Sequence, residues 1–231
     1  MGWDGLKAAG IWVAEGAAGI GRWVLDGFLS GAAWTGRLIA KLLDLVGFGE
    51  IADLLGEILK MNTRELSGGE ISEAHKVFGD TIDYGQVRVD EYSLISTISA
   101  LFSGGGGMGV TLFHTINFNK VITPTAGSQD MGWLIHEMTH VWQYEHVGSQ
   151  YLGEAIHAQA TTGYQYGTST RYTDDGNGAF LAERRSQGAT FASFNREQQG
   201  DITEHYYLRR TNGLDTTDWQ PYIDDVQAGV G

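Results

Sequence analysis

The spacing of apolar residues divides the chain near residue 61. In residues 1–60, tryptophan recurs every eleven residues and is followed by aliphatic residues at helical spacing: Trp12, Trp23, Trp34, Leu38, Leu42, Leu45 and Val46. Eleven residues make about three turns of α-helix, so the tryptophans stay near one side of it. The pattern predicts two or three amphipathic helices, loosened by twelve glycines.

Helical and strand-like periods alternate after residue 61. Helices are predicted over 69–80 (capped by Ser67 or Ser72), 131–146 (capped by Asp130), 151–167, 195–210 and from Pro221 onwards. Strands are predicted within 84–93 and over 110–123, and a loop over 167–178. The 110–123 strand alternates apolar residues (Val110, Leu112, Ile116, Phe118) with polar ones (Thr111, Thr115, Asn117), as a half-buried strand does. This order predicts an α+β fold.

Composition and charge narrow the functional classes. The net charge of −13 and the pI near 4.8 argue against a nucleic-acid partner. Most of the negative charge lies beyond residue 60, where ten basic residues face twenty-one acidic ones. Since the chain has no cysteine, any metal ligands must be His, Asp or Glu.

The first sixty residues are interpreted as a segment of their own, before a domain over 61–231. Their longest charge-free run, 27–36, is ten residues, whereas a transmembrane helix needs about 20. We therefore expect no transmembrane span. Three roles stay open for the Trp/Leu face: packing on the main domain or a sister chain, docking on a partner, or lying on a membrane surface. The first ten residues lack a Sec signal pattern, which favours cytoplasmic residence in the producing cell.

The stretch WLIHEMTHVWQ (133–143) contains the main candidate metal-binding and catalytic residues. His136 and His140 are four residues apart, so a helix presents both imidazoles to one metal ion. Glu137 lies beside that position, where a carboxylate can take a proton from water. The alternative is a helix whose histidines only cap backbone groups.

A third ligand must come from elsewhere in the chain. His146 has metzincin spacing, but Gln143 replaces the glycine of that signature and no methionine follows Met138. Further candidates are Glu154, His157, Glu183, Glu204 and His205.

Glu197, at the start of a later helix, fits best. Together with Gly200 and Asp201 it is similar to the second-helix motif of glutamate-type zincins. The glycine allows close helix approach, and the aspartate can accept a hydrogen bond from a ligand histidine. The alternative is a solvated carboxylate favoured by the helix dipole.

Three stretches, SEAHKVFGDTIDYGQVRV, LIHEMTHVWQYEH and FNREQQGDI, resemble a bacterial zincin-like metallopeptidase family. Its members are associated with extracellular contractile injection systems and polymorphic toxins. The resemblance spans about residues 65–210. It implies a small edge sheet, an active-site helix, a Zn²⁺ ion on His136, His140 and Glu197, and Glu137 as the general base.

We therefore expect a zinc peptidase acting on a protein or peptide, as an effector, toxin or processing protease of an injection system. The 110–122 strand is the candidate for pairing with substrate backbone. His205, Tyr206 and Tyr207 are candidate oxyanion donors. Two rival hypotheses are a catalytically silent adaptor of an injection particle and a membrane-active toxin acting through residues 1–60. We also expect the chain to be delivered by the injection system and to dock on it through residues 1–60.

Overall fold

The structure is a computed structural model that describes residues 63–91, 109–148 and 165–230. The described elements are the strands β1 (Thr63–Glu65), β2 (Arg88–Glu91), β3 (Gly109–Leu112) and β4 (Thr115–Phe118), and the helices α1 (Gly68–Phe78), α2 (Gln129–Val147), α3 (Asp175–Ser186), α4 (Arg196–Thr211) and α5 (Gln220–Gln227). The segment 1–60, the boundary after it and most of the predicted 151–167 helix lie outside the described residues.

The four strands form one mixed sheet in the order β1-β2-β4-β3. β1 pairs antiparallel with β2, β2 parallel with β4, and β4 antiparallel with β3. This sheet and the helices confirm the α+β class predicted from the sequence. None of the helices in the described part of the chain is long and apolar enough to cross a bilayer.

The single strand predicted over 110–123 is wrong, because the chain reverses at residues 113–114. Phe113 has a φ of 57°, and the turn it opens makes β3 and β4 an antiparallel hairpin. Thr111 is the register partner of Ile116 and so lies on the same face of the sheet, whereas one continuous strand would place them on opposite faces. Both faces of β4 are buried, so it is not half-buried either.

Capping residues in the local sequence define both ends of α2. The Ser128 side chain accepts from the Met131 amide at the start, and Gly148 (φ 69°) ends the helix. The cap is therefore Ser128 and not the predicted Asp130, which lies in the first turn and accepts from the Thr123 amide at 2.8 Å.

Part of the loop predicted over 167–178 is instead the start of α3. Its first residues, DGNG, are typical of turns, but tertiary contacts satisfy them. The buried Asn177 side chain accepts from the amides of Thr168 and Ser169. A Cβ on Gly178 would lie 2.9 Å from the Trp219 ring, so the glycine permits close packing against it.

The core lies on both sides of α2. One side packs against the sheet, where the Phe118 and Trp133 rings meet edge to face at 4.6 Å. The other side packs against α4, and α1 and α5 close the core beside them. Most of α2 is consequently shielded from water, including His136, Glu137 and His140.

Candidate metal centre

Three ligand atoms from two helices converge in the interior. The Nε2 atom of His136 lies 3.4 Å from Glu197 Oε2, and that of His140 lies 3.7 Å from the same oxygen. His136 and His140 are one turn apart on α2, and Glu197 is in the first turn of α4. The three side chains are buried, with 5–6% of their surfaces exposed.

The second nitrogen of each imidazole has a partner that orients the ring. His136 Nδ1 lies 3.1 Å from Asp201 Oδ1, and His140 Nδ1 lies 2.8 Å from Gln143 Oε1. Both partners are acceptors, so each Nδ1 carries the hydrogen of the neutral ring. The lone pairs of the two Nε2 atoms are then directed towards Glu197.

Two imidazole nitrogens and one carboxylate oxygen suit a zinc ion. Ligands about 2.0–2.1 Å from a tetrahedral ion are roughly 3.3 Å apart. The spacings of 3.4 and 3.7 Å are close to this, and all three ligand atoms lie within 4.8 Å of one another. The residues therefore fit a divalent metal ion.

The electrostatics of the cluster favour positive charge. Burial alone would lower the pKa of His136, but the carboxylates of Asp201, Glu197 and Glu204 more than offset it, and the pKa is well above its ordinary value. Burial also opposes protonation of His140, and Glu197 outweighs it, so that pKa is raised too. The histidines in turn lower the pKa of Glu197 against the effect of its burial. The site is built to hold cationic charge, either protons or a metal ion.

Small residues let α2 and α4 approach closely. A Cβ on Gly200 would lie 2.6–2.8 Å from three atoms of the His136 ring, and one on Gly132 would lie 2.9 Å from Leu208. In the same helix contact the Thr139 and Thr203 hydroxyls are 2.6 Å apart. Glycine at position 200 is thus a steric requirement of the site.

Glu137 points towards the sheet rather than into the ligand set. The Thr111 hydroxyl of β3 donates to Glu137 Oε2 at 2.9 Å. Burial raises the pKa of Glu137, while the attraction of His140 and His136 lowers it in part. A carboxylate with a raised pKa beside a cationic centre is suited to proton transfer.

Two acidic residues of α4 lie behind His136. Asp201 Oδ1 lies 3.1 Å and Glu204 Oε2 3.6 Å from His136 Nδ1. Burial raises the pKa of Asp201, and the neighbouring Glu204 adds to this while His136 opposes it. His136, Asp201 and Glu204 form a second group that could hold a cation. This group shares the His136 imidazole with the group of His136, His140 and Glu197.

The other ligand candidates lie elsewhere or outside the described residues. His146 is exposed, and its ring stacks on Trp142 while Nδ1 donates to the Trp142 carbonyl at 2.8 Å. Glu183 is exposed on α3. Glu154 and His157 fall in the part of the chain that is not described.

The three candidate oxyanion donors have other partners. His205 Nδ1 shares a hydrogen bond of 2.8 Å with the Tyr166 hydroxyl. The Tyr206 hydroxyl donates to Gln220 Oε1 and accepts from Arg210, and the Tyr207 hydroxyl donates to Glu73 Oε2 and accepts from the Gly127 amide. These contacts connect α4 to its neighbours, and the oxyanion role stays a prediction without support from them.

Three residues of the site were missed in the sequence. The predicted continuous strand puts Thr111 on the face opposite Ile116, and the sequence identifies Gln143 only as the residue in place of the metzincin glycine. Gln199 extends the support of His140, because it accepts from Gln143 Nε2 at 2.9 Å and donates to the carbonyls of Phe191 and Phe194. The only available signal was helical spacing, which places Gln143 one turn after His140.

Comparison with known proteins gives two similarities. The chain is 35% identical over 152 residues to the type VI secretion system spike protein VgrG2b of Pseudomonas aeruginosa. That match covers 64% of this chain but spans 13% of the length of the spike protein. The solved effector domain of Pseudomonas aeruginosa VgrG2b is 28% identical, with a TM-score of 0.46, over 87% of this chain and 99% of that domain. No protein-family model matches the chain.

Proposed function

We propose that this protein is a zinc-dependent peptidase that acts as an effector or processing protease of a bacterial injection system. One observation carries the proposal: the Nε2 atoms of His136 and His140 face Glu197 Oε2 inside the protein, with the buried Glu137 one residue from a ligand. A helix whose histidines merely cap backbone groups would not need a converging carboxylate from a second helix.

The proposed ligands are His136, His140 and Glu197. A zinc ion held by them would supply Lewis-acid polarisation of a substrate carbonyl and of water. Three protein ligands are the number typical of catalytic zinc sites, which keep a position for water or substrate. Asp201 and Gln143 hold the imidazoles in the required tautomer.

Glu137 is the proposed general base. It takes a proton from the attacking water, whose oxygen bonds to the scissile carbonyl carbon, and passes it to the amine nitrogen as the C–N bond breaks. The raised pKa of its buried carboxyl helps it to hold that proton between the two transfers.

The substrate is proposed to be an extended peptide lying along β3. Among the strands of the described residues this one is at the end of the sheet order, and it packs against α2, the helix that carries Glu137, His136 and His140. A peptide added to β3 by backbone hydrogen bonds would pass close to the base.

The link to an injection system rests on the sequence similarity to VgrG2b, which is a type VI secretion spike protein. By analogy we propose that the chain is delivered by such a system. Residues 1–60, with their tryptophan and leucine pattern, are the proposed docking segment.

The deciding experiment combines metal analysis with one conservative variant. Protein purified without added metal should contain about one zinc per chain, and Glu137→Gln should keep the zinc while losing hydrolysis. Hydrolysis unaffected by Glu137→Gln would contradict the proposal. A wild-type chain that binds zinc and cleaves neither casein nor proteins encoded beside it would favour the adaptor hypothesis.

A further inference from the structure

We propose that Thr111 is a positioning residue for the catalytic base, holding one carboxylate oxygen of Glu137 so that the other takes the proton. The inference rests on the proposed function, since it takes Glu137 to be the base. Thr111 Oγ1 lies 2.9 Å from Glu137 Oε2 and 3.2 Å from the backbone carbonyl oxygen of the same residue.

The direction of this hydrogen bond follows from the atoms involved. Both neighbours of the Thr111 hydroxyl on Glu137 are acceptors when the carboxylate is ionised, so the hydroxyl is the donor. Each residue has only 4% of its surface exposed, which keeps bulk water from competing for the carboxylate. The β-branch of threonine restricts rotation of the donor about χ1.

Engaging Oε2 decides which oxygen performs the chemistry. A glutamate side chain has three rotatable bonds, and a proton acceptor is efficient only when it is held within reach of the proton. With Oε2 held by Thr111, proton abstraction falls to Oε1. The catalytic residue remains Glu137, and Thr111 acts through it.

The placement also connects the proposed substrate strand to the base. Thr111 belongs to β3, the last strand in the sheet order of the described part of the chain, while Glu137 belongs to α2. The hydrogen bond fixes the distance between the two elements at the point where the base is. Loss of the hydroxyl should therefore disturb the proton transfer more than peptide binding, so that kcat falls and KM changes little.

The test uses the whole chain given by this sequence, loaded with zinc, and compares three substitutions of Thr111. Thr111→Val replaces the hydroxyl with a methyl group, and Thr111→Ser keeps it. Thr111→Ser and Thr111→Ala differ by one oxygen and serve the same purpose if the valine variant does not fold. For a quenched fluorescent peptide that the wild type cleaves, we expect kcat about tenfold lower in Thr111→Val and Thr111→Ala, KM within about twofold, and near-wild-type kcat in Thr111→Ser.

A binding measurement gives a second readout that does not need hydrolysis. Acetohydroxamate chelates zinc and gives its proton to a neighbouring carboxylate, so its affinity, measured by calorimetry, reports on how the base is held. We expect about tenfold weaker binding in Thr111→Val and recovery in Thr111→Ser, with zinc content unchanged in both. Thr115→Val, the same change on the facing strand, should leave kcat and acetohydroxamate affinity unaltered.

The outcomes separate this inference from the proposed function. If hydrolysis is unaffected by Glu137→Gln, the proposed function fails, and acetohydroxamate binding still decides whether Thr111 positions the carboxylate. If Glu137→Gln is inactive while the serine and alanine variants match in kcat and in acetohydroxamate affinity, Thr111 has no positioning role. Loss of zinc in Thr111→Ala would also overturn the inference, because the effect would then lie on the metal site.

Discussion

Single side chains decide how the two ligand histidines are presented. The supports differ in charge: His136 faces the carboxylates of Asp201 and Glu204, whereas His140 faces the amide of Gln143. A neutral amide fixes the His140 tautomer without adding negative charge to a region that already contains Glu197. The difference limits the charge that has to be buried around one metal ion.

At this scale the identity of the third ligand can be tested directly. Glu197→Ala should weaken zinc binding by more than about 100-fold, because it removes one of the three proposed protein ligands and even residues that only support a ligand are worth 10–100-fold. Competition with a chromophoric chelator measures the affinity, and hydrolysis should be lost with it. His146→Ala is the control, since its exposed ring contacts Trp142 and no ligand. The reverse result, with zinc lost only from His146→Ala, would restore the metzincin-like assignment.

At the scale of secondary-structure elements, the distance between α2 and α4 determines whether the candidate ligands meet. α2 and α4 bring ligands to one point because glycine and threonine line part of their contact. Neither helix alone supplies three ligands among the described residues. The centre is therefore a property of the helix pair.

Gly200→Ala tests the helix separation without altering a ligand. The added Cβ would meet the His136 ring at 2.6–2.8 Å, and Nδ1 of that ring already lies 3.1 Å from Asp201 Oδ1. We expect a loss of about 1–3 kcal/mol in the free energy of unfolding and about 10–100-fold weaker zinc binding, measured by urea denaturation and chelator competition. Gly68→Ala, where a Cβ meets nothing within 4 Å, is the matched control and should change stability by less than about 1 kcal/mol.

The start of α1 gives a prediction about pH. The Glu70 carboxylate accepts from Arg64 at 2.8 and 2.9 Å and from the Ser67 amide at 2.6 Å. Burial opposes ionisation of Glu70, but these donors outweigh it and lower its pKa below the ordinary 4.5. A lowered folded-state pKa means that the stabilisation is present above pH 4.5 and is lost as the pH falls through the folded value.

Glu70→Gln should therefore lower the free energy of unfolding by about 1–3 kcal/mol at pH 7. The difference from the wild type should shrink as the pH falls below 4.5 and through the lowered folded-state pKa of Glu70, because the native carboxylate then becomes protonated. Urea denaturation at pH 7 and pH 3 measures both values. Glu65→Gln is the control, since its ion pair with Arg88 spans 3.5 Å and Glu65 is 79% exposed, so it should cost less than about 1 kcal/mol. An equal cost at both pH values would contradict the assignment.

At the scale of the whole molecule, the proposed metal centre would couple metal binding to folding. Unfolding separates α2 from α4 and with them the proposed ligands, so a metal ion held at this centre would bind the folded chain far better than the unfolded one. Free zinc at 100 times its Kd should add about 2.7 kcal/mol to the free energy of unfolding. A thermal melt should show an increase of several degrees with zinc and a decrease with chelator. In Glu197→Ala the shift should disappear, and a wild-type melt that does not respond to zinc would rule out the centre.

The sequence by itself determined the features that depend on neighbours along one helix. His136, Glu137 and His140 follow from the spacing of three and four residues, and Ser67 and Glu70 set the start of α1 in the same local way. Glu197 could be selected from the sequence because, together with Gly200 and Asp201, it resembles the second-helix motif of glutamate-type zincins. Periodicity identifies which side chains share a face, and that information lies within a few residues.

Tertiary structure determined which residues each helix or strand face contacts. A reversal at Phe113 leaves the alternation of apolar and polar residues in place but puts Thr111 beside Ile116, and only the packing of β3 on α2 makes it the partner of Glu137. Gln143 and Gln199 acquire their roles when α2 and α4 pack together. The first turn of α3 has the sequence of a loop. It is helical because Asn177 and Gly178 make contacts with residues outside the helix. The physical reason is common to all three: a local pattern sets orientation along one element, whereas hydrogen bonds and close contacts between elements depend on long-range packing.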